Sequence, residues 1–196
     1  MKRIVLFSTL TERNREAVLN QIFSAGIQDK VFSYMPSSGI KHAEQYIEQW
    51  RSISQQYGAQ FSVIDNSVSS VEEQRKLLSS NIVVISGGNT FHLLRNLREC
   101  GLDKTIVEFA GKSDFILAGF SAGALVLTPS IDVCNLPSLD ENLVKLEDFS
   151  GLDIVDFEVF PHYDECSQAA VLDNYRKTTA NRVREITDED YISIDR

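Results

Sequence analysis

The sequence predicts an α/β fold built on a mostly parallel sheet. Three observations carry this. Short, continuous apolar runs recur, among them Ile4-Val5-Leu6-Phe7 and Ile82-Val83-Val84-Ile85. Segments with helical spacing of apolar residues separate them. Glycine or proline marks many of the joins. Apolar runs without polar alternation are what a sheet buried on both faces requires, and strict strand–helix alternation implies parallel strands joined by crossovers. The chain has 196 residues, 43% hydrophobic and 24% charged, and is read as one domain over residues 1–196 with enough apolar content for a sizeable core.

The elements follow in order. Ile4 to Phe7 is the first strand. Arg15 to Ala25, with Ala17, Val18, Ile22 and Phe23 on one side, is an amphipathic helix stopped by Gly26. Lys30 to Met35 is a strand ended by Pro36. Lys41 to Tyr57 is a helix with Tyr46, Ile47, Trp50 and Ile53 on its apolar side. Gln60 to Ile64 is a strand and Val71 to Ser79 a short helix. Asn81 to Ile85 is a strand running into Ser86-Gly87-Gly88-Asn89-Thr90. Phe91 to Cys100 and Asp103 to Gly111 are helices, and Asp114 to Ala118 is the fifth strand. Beyond it, Pro129 to Ser138 is loop-like, Phe157 to Asp164 is a strand ending at Pro161-His162, Gln168 to Glu185 is an Arg-rich helix, and Tyr191 to Ile194 is a last strand. A strand that close to the end suggests that the natural chain continues past Arg196.

Bulk properties exclude several functions. A net charge of -9 and the lack of any basic run argue against nucleic acid. The N-terminal apolar run stops at Ser8-Thr9 and is followed by Glu12, Arg13, Arg15 and Glu16, so it reads as a strand rather than a signal peptide. No stretch has the length of a membrane span. Cys100, Cys134 and Cys166 lack CxxC spacing, which points to a reducing cytoplasm and away from a disulfide framework or zinc ribbon.

The chemistry gathers in two turns and one strand end, all at the carboxyl ends of strands, where α/β sheets hold their ligands. Gly119-Phe120-Ser121-Ala122-Gly123 has the form Gly-x-Ser-x-Gly between a strand and a helix. Such a turn pushes the serine side chain clear of the backbone, and a serine there is either a nucleophile or a simple helix cap. Gly87-Gly88 lets backbone N–H groups face a ligand, and the N–H groups of Gly88 and Ala122 are candidate oxyanion donors. Asn89 or Thr90 also reads as a helix cap. Neither a P-loop nor G-x-G-x-x-G is present. Of the three histidines, His42 and His92 are helical, and His162 ends a strand on the edge that holds Ser121. His162 is therefore the candidate base. The acid behind it is open among Asp132, Asp140, Glu141, Asp164, Glu165 and Asp195. Arg176, Arg182 and Arg184 offer guanidinium groups suited to a carboxylate.

Three segments, Ser-Gly-Gly-Asn-Thr-Phe-His-Leu-Leu (86–94), Ala-Gly-Phe-Ser-Ala-Gly-Ala (118–124) and Gly-Leu-Asp-Ile-Val-Asp-Phe-Glu-Val-Phe-Pro-His-Tyr (151–163), resemble the peptidase E family of serine peptidases, aspartyl dipeptidases related to cyanophycinase. The resemblance implies a flavodoxin-like three-layer sandwich similar to the class I glutamine amidotransferase domain. It implies metal-free and cofactor-free hydrolysis of dipeptides that begin with aspartate. By position, Ser121 matches the nucleophile, His162 the histidine, and Gly88-Asn89 the loop that contacts substrate and oxyanion. Arg182 lies in a segment resembling the helix expected to read the aspartate side chain. Where relatives carry an Asn-Asp-x-Pro-like segment, this chain has Cys134-Asn135-Leu136-Pro137, without an acid. The expected partner is a small peptide, with neither nucleic acid nor membrane, and a homodimer is compatible with this reading. The alternative class is a non-catalytic amidotransferase-like module that binds a metabolite or a partner. Glutamine amidotransfer itself uses a cysteine nucleophile, and the turn here holds serine.

Overall fold

A computed structural model describes the chain except for Ser24, Ala25, Ser138 and the side chain of His42. The expected C-terminal ends of the first helix at Ala25 and of the loop at Ser138 lie outside the described residues. The elements are β1 (Lys2–Phe7), α1 (Arg15–Ile22), β2 (Val31–Met35), α2 (Glu44–Gln56), β3 (Gln60–Val63), α3 (Val71–Ser79), β4 (Ile82–Ile85), α4 (Thr90–Cys100) and α5 (Leu102–Ala110). They continue with β5 (Phe115–Phe120), α6 (Ala122–Val126), β6 (Glu158–Pro161), α7 (Glu165–Arg176), β7 (Val183–Ile186) and β8 (Tyr191–Asp195).

Six strands form the main sheet in the order β3-β2-β4-β5-β1-β8. All neighbours are parallel except β8, which runs antiparallel to β1. Alternation along each strand splits the core in two. Val5, Phe7, Phe32, Tyr34, Val84 and Ala118 pack with Val18, Ile22, Trp50 and Ile53 of α1 and α2. Ile4, Leu6, Val83, Ile85 and Leu117 pack with α3 to α6 and with the elements that follow. The result is the three-layer α/β sandwich expected. Among the described residues no helix is long and apolar enough to cross a membrane.

One element differs in kind from its expectation. The Arg-rich segment does not stay helical to Glu185. Helix α7 ends at Arg176, and Val183–Ile186 is a strand that pairs in parallel with β6 as a separate two-stranded sheet. A buried carboxylate decides the break. Glu158, 1% exposed, accepts hydrogen bonds from Tyr175 Oη at 2.5 Å, Thr179 Oγ1 at 2.9 Å and Asn181 Nδ2 at 2.7 Å. Those bonds turn the chain after α7 and lay β7 along β6. Burial and this contact drive the Tyr175 phenol well above its ordinary value, so it remains a donor.

Candidate active site

Ser121 follows β5 directly and has φ 50° and ψ −117°. A non-glycine residue there carries backbone strain of about 1–3 kcal/mol. Its N–H donates to the Phe7 carbonyl at 3.0 Å, and its own carbonyl accepts from Ala124 and Leu125. The flanking glycines are required by contact. A β-carbon on Gly119 would lie 2.3 Å from the Gly123 carbonyl oxygen, and one on Gly123 would lie 2.2 Å from that of Ile85. The strand and helix pass too close for any larger residue. Helix α6 has only five residues, so it offers individual N–H groups rather than a long helix dipole.

His162 stands one residue past β6, at φ 56°. Its Nε2 is 2.9 Å from Ser121 Oγ, and its Nδ1 is 2.6 Å from Asp188 Oδ1. A carboxylate only accepts, so Nδ1 donates to Asp188 and Nε2 is left to accept from the Ser121 hydroxyl. Ser121, His162 and Asp188 thus form a continuous chain from hydroxyl to ring to acid. The small sheet presents the last two. In its register Pro161 lies opposite Ile186, so residues just past both strands emerge together at their carboxyl ends.

Two side chains from the loop after β1 lock this arrangement to the main sheet. Ser8, 1% exposed, accepts the His162 backbone N–H and donates to the Ile186 carbonyl, both at 2.9 Å. Asn14, also buried, donates through Nδ2 to the carbonyls of Thr9 and Asp188, both at 2.9 Å. Phe7 and Ser8 are adjacent in the chain, so one strand end holds the backbones of both Ser121 and His162.

Ser121 and His162 open into a pocket of about 410 Å³. The turn Ser86-Gly87-Gly88 lines it together with Ser8, Thr9, Ser37, Ser38, Tyr34 and Tyr46. Gly88 has φ 143°, and a β-carbon on it would meet Ser37 Oγ at 2.2 Å. Among the described residues, the N–H groups of Gly88 and Ala122 have no hydrogen-bond partner. The turn itself is pinned from below. Tyr34 Oη donates to Ser86 Oγ at 2.8 Å, and Ser86 Oγ donates to the Gly87 carbonyl at 3.0 Å. Burial pushes the Tyr34 phenol up to about 12, which keeps it protonated for that bond. Among the described residues no group of three His, Cys, Asp or Glu side chains is arranged to hold a metal ion.

The model of peptidase family S51 matches residues 4–195, nearly the whole chain. The chain belongs to peptidase family S51. An uncharacterized peptidase of Pasteurella multocida is 36% identical over 166 residues, covering 80% of this chain and 78% of that protein. Peptidase E of a Nostoc species is 30% identical over 185 residues, covering 91% of this chain and 71% of that one. A crystal structure of a Listeria monocytogenes protein provisionally named Peptidase E superposes with a TM-score of 0.79 at 25% identity, covering 99% of this chain and 94% of that one. The S51 fold is therefore the flavodoxin-like, amidotransferase-like sandwich that the motifs imply.

Within this S51 peptidase, several expected site residues take other positions. Asn89 caps α4, accepting the His92 N–H at 2.9 Å, and its amide donates to the Glu141 carbonyl. It does not line the pocket. Arg182 lines a separate depression with Arg176, Arg184 and Glu185. Its carbonyl accepts from Glu158 N–H at the amino end of the β6–β7 pair, some four residues and ~13 Å of strand away from the end that carries His162 and Asp188. None of the six acids considered faces His162 Nδ1. Asp132 accepts from Asn135, Asp140 accepts the Thr90 N–H at the start of α4, Asp164 accepts from Ser167, Glu165 begins α7, and Asp195 pairs with Arg3. Asp188 holds the position instead. The signal for it was the polar turn Thr187-Asp188-Glu189-Asp190 just before the last strand, which has meaning only once Val183–Ile186 is recognised as a strand.

Proposed function

We propose that the protein is a serine exopeptidase for short peptides, working through an acyl-enzyme. The observation that carries this reading is the Ser121–His162–Asp188 chain of contacts at 2.9 and 2.6 Å, set at a strained strand-to-helix turn. Ser121 Oγ attacks the scissile carbonyl as His162 Nε2 takes its proton. The same imidazolium then protonates the leaving amine. Asp188 holds the tautomer and offsets the ring's charge. The free N–H groups of Gly88 and Ala122 are the donors offered to the oxyanion. A water activated by His162 then releases the acyl group. An aspartate at the N-terminus of the substrate is what the family resemblance implies. None of the described pocket-lining residues is Lys or Arg.

A fluorophosphonate probe tests the reading. It is expected to label the wild-type protein on Ser121 and to leave Ser121→Ala unlabelled. A folded wild-type protein that takes no label would refute it and favour a non-catalytic binding module.

Ser8 is proposed as a positioning residue for His162. Ser8→Ala leaves the part-buried His162 N–H without its partner, a cost of about 1–3 kcal/mol, while the Ile186 carbonyl keeps the Tyr163 N–H at 3.1 Å. The variant is expected to lose about tenfold to a hundredfold in kcat with little change in KM, and Ser8→Thr is expected to recover most of it. Equal losses in both variants would show that bulk packing, not the hydroxyl, matters there.

A further inference from the structure

The pocket at Ser121 adjoins a second depression of about 210 Å³. Thr9, Tyr46 and Phe120 line both, and Phe120 is the residue immediately before Ser121. The rest of the second depression is Phe7, Leu10 and Trp50, with Gln49 contributed by the exposed side of α2. Its aromatic wall is stacked in place, with the Phe120 ring centroid 5.3 Å from that of Phe7 and 6.3 Å from that of Trp50. Trp50 is buried behind the wall, whereas Tyr46 is 56% exposed at the shared mouth, an aromatic surface that a ligand could cover.

None of the described residues lining either depression is Lys, Arg, Asp or Glu. A carboxylate side chain set against this wall would lose water and gain no cation in return. An apolar side chain is favoured by the area it buries, and about 150 Å³ of apolar cavity is enough for a benzene-sized group.

We propose that this aromatic lobe is a side-chain subsite for the substrate, and that it takes an uncharged apolar residue of the leucine or phenylalanine class next to the scissile bond. The inference rests on the peptidase reading of Ser121, His162 and Asp188. The two depressions meet at Thr9, Tyr46 and Phe120, so a peptide held at Ser121 can extend a neighbouring side chain into the lobe.

The test is steady-state hydrolysis of Phe-Ala, Leu-Ala, Ala-Phe, Ala-Leu, Ala-Ala, Asp-Ala and Ala-Asp by the wild-type protein and by Gln49→Lys, with fluorophosphonate labelling of Ser121 run in parallel. At least one Phe or Leu peptide is expected to exceed both Ala-Ala and the Asp peptides by about tenfold or more in kcat/KM. Gln49→Lys adds a cation to the lobe at an exposed helix position. It is expected to reduce that preference and to raise the rate on an Asp peptide severalfold, with labelling intact. An Asp peptide as the best wild-type substrate, equal rates on all seven, turnover of none while Ser121 labels, or an unchanged preference in Gln49→Lys would each overturn the inference. Loss of labelling in folded wild-type protein would instead overturn the peptidase reading beneath it.

Discussion

Ser121→Ala is expected to lower kcat on a cleaved peptide by about 10⁴-fold or more, with KM nearly unchanged. The hydroxyl is the attacking group in the proposed mechanism, so its removal deletes the step rather than weakening it. Binding is spared because the pocket walls come from other residues, including Ser37, Gly88 and Tyr46. The fold is spared too. Alanine keeps the β-carbon and so the same strain at φ 50°, and the backbone bonds to Phe7, Ala124 and Leu125 do not involve the side chain. Only the contact with His162 is lost, which at this partly exposed site costs about 1 kcal/mol. Steady-state kinetics with a matched thermal melt reads both quantities. A fall of less than tenfold in kcat would mean that Ser121 is not the nucleophile.

Asp188→Asn is the second large expected effect, with kcat predicted to fall by about 10³–10⁴-fold. The change is nearly isosteric, so the loss comes from proton placement. An asparagine amide turned toward His162 presents an N–H to Nδ1, which must then accept. The ring proton moves to Nε2, where it blocks uptake of the Ser121 proton. The turn that carries residue 188 does not depend on the carboxylate. It is held by Asn14 at the Asp188 carbonyl and by Thr187 Oγ1 at Asp190 Oδ2. Asp195→Asn is the control. Its carboxylate pairs with Arg3 on an exposed part of the sheet edge, where solvent screens such pairs, and kcat is expected to stay within about twofold. If Asp195→Asn, rather than Asp188→Asn, cripples turnover, the acid has been misassigned.

Much of this arrangement was legible before the fold was known. The buried strands β1, β4 and β5 contain continuous apolar runs and β2 is interrupted only by Ser33, and the helices between them repeat their apolar residues at helical spacing. Gly119 and Gly123 around Ser121 announce a close strand–helix crossing, and the contacts at 2.3 and 2.2 Å are its physical cause. His162 was legible because a histidine past Pro161 closes a strand on the functional edge. Asn89 was legible both as a helix cap and as a substrate contact, and the requirements of the α4 terminus determined which.

The acid and the arginine were not legible, for one reason. Val183 and Ile186 are three residues apart, the spacing of one helix face rather than the alternation of a strand. Read as helix, the segment directs Arg182 toward a substrate and leaves Asp188 without a role. The choice between the two is made far away in sequence, where Glu158 draws Thr179 and Asn181 into a buried network and β7 is laid against β6. That pairing sends Arg182 to the amino end and Asp188 to the carboxyl end beside His162. The sequence by itself thus determined the sheet, the serine turn and the histidine, because each rests on local periodicity or local sterics. Only the tertiary structure decided the acid beside His162 and the meeting of the pocket at Ser121 with the aromatic depression next to it, because both depend on strand ends and side chains that meet solely through long-range packing.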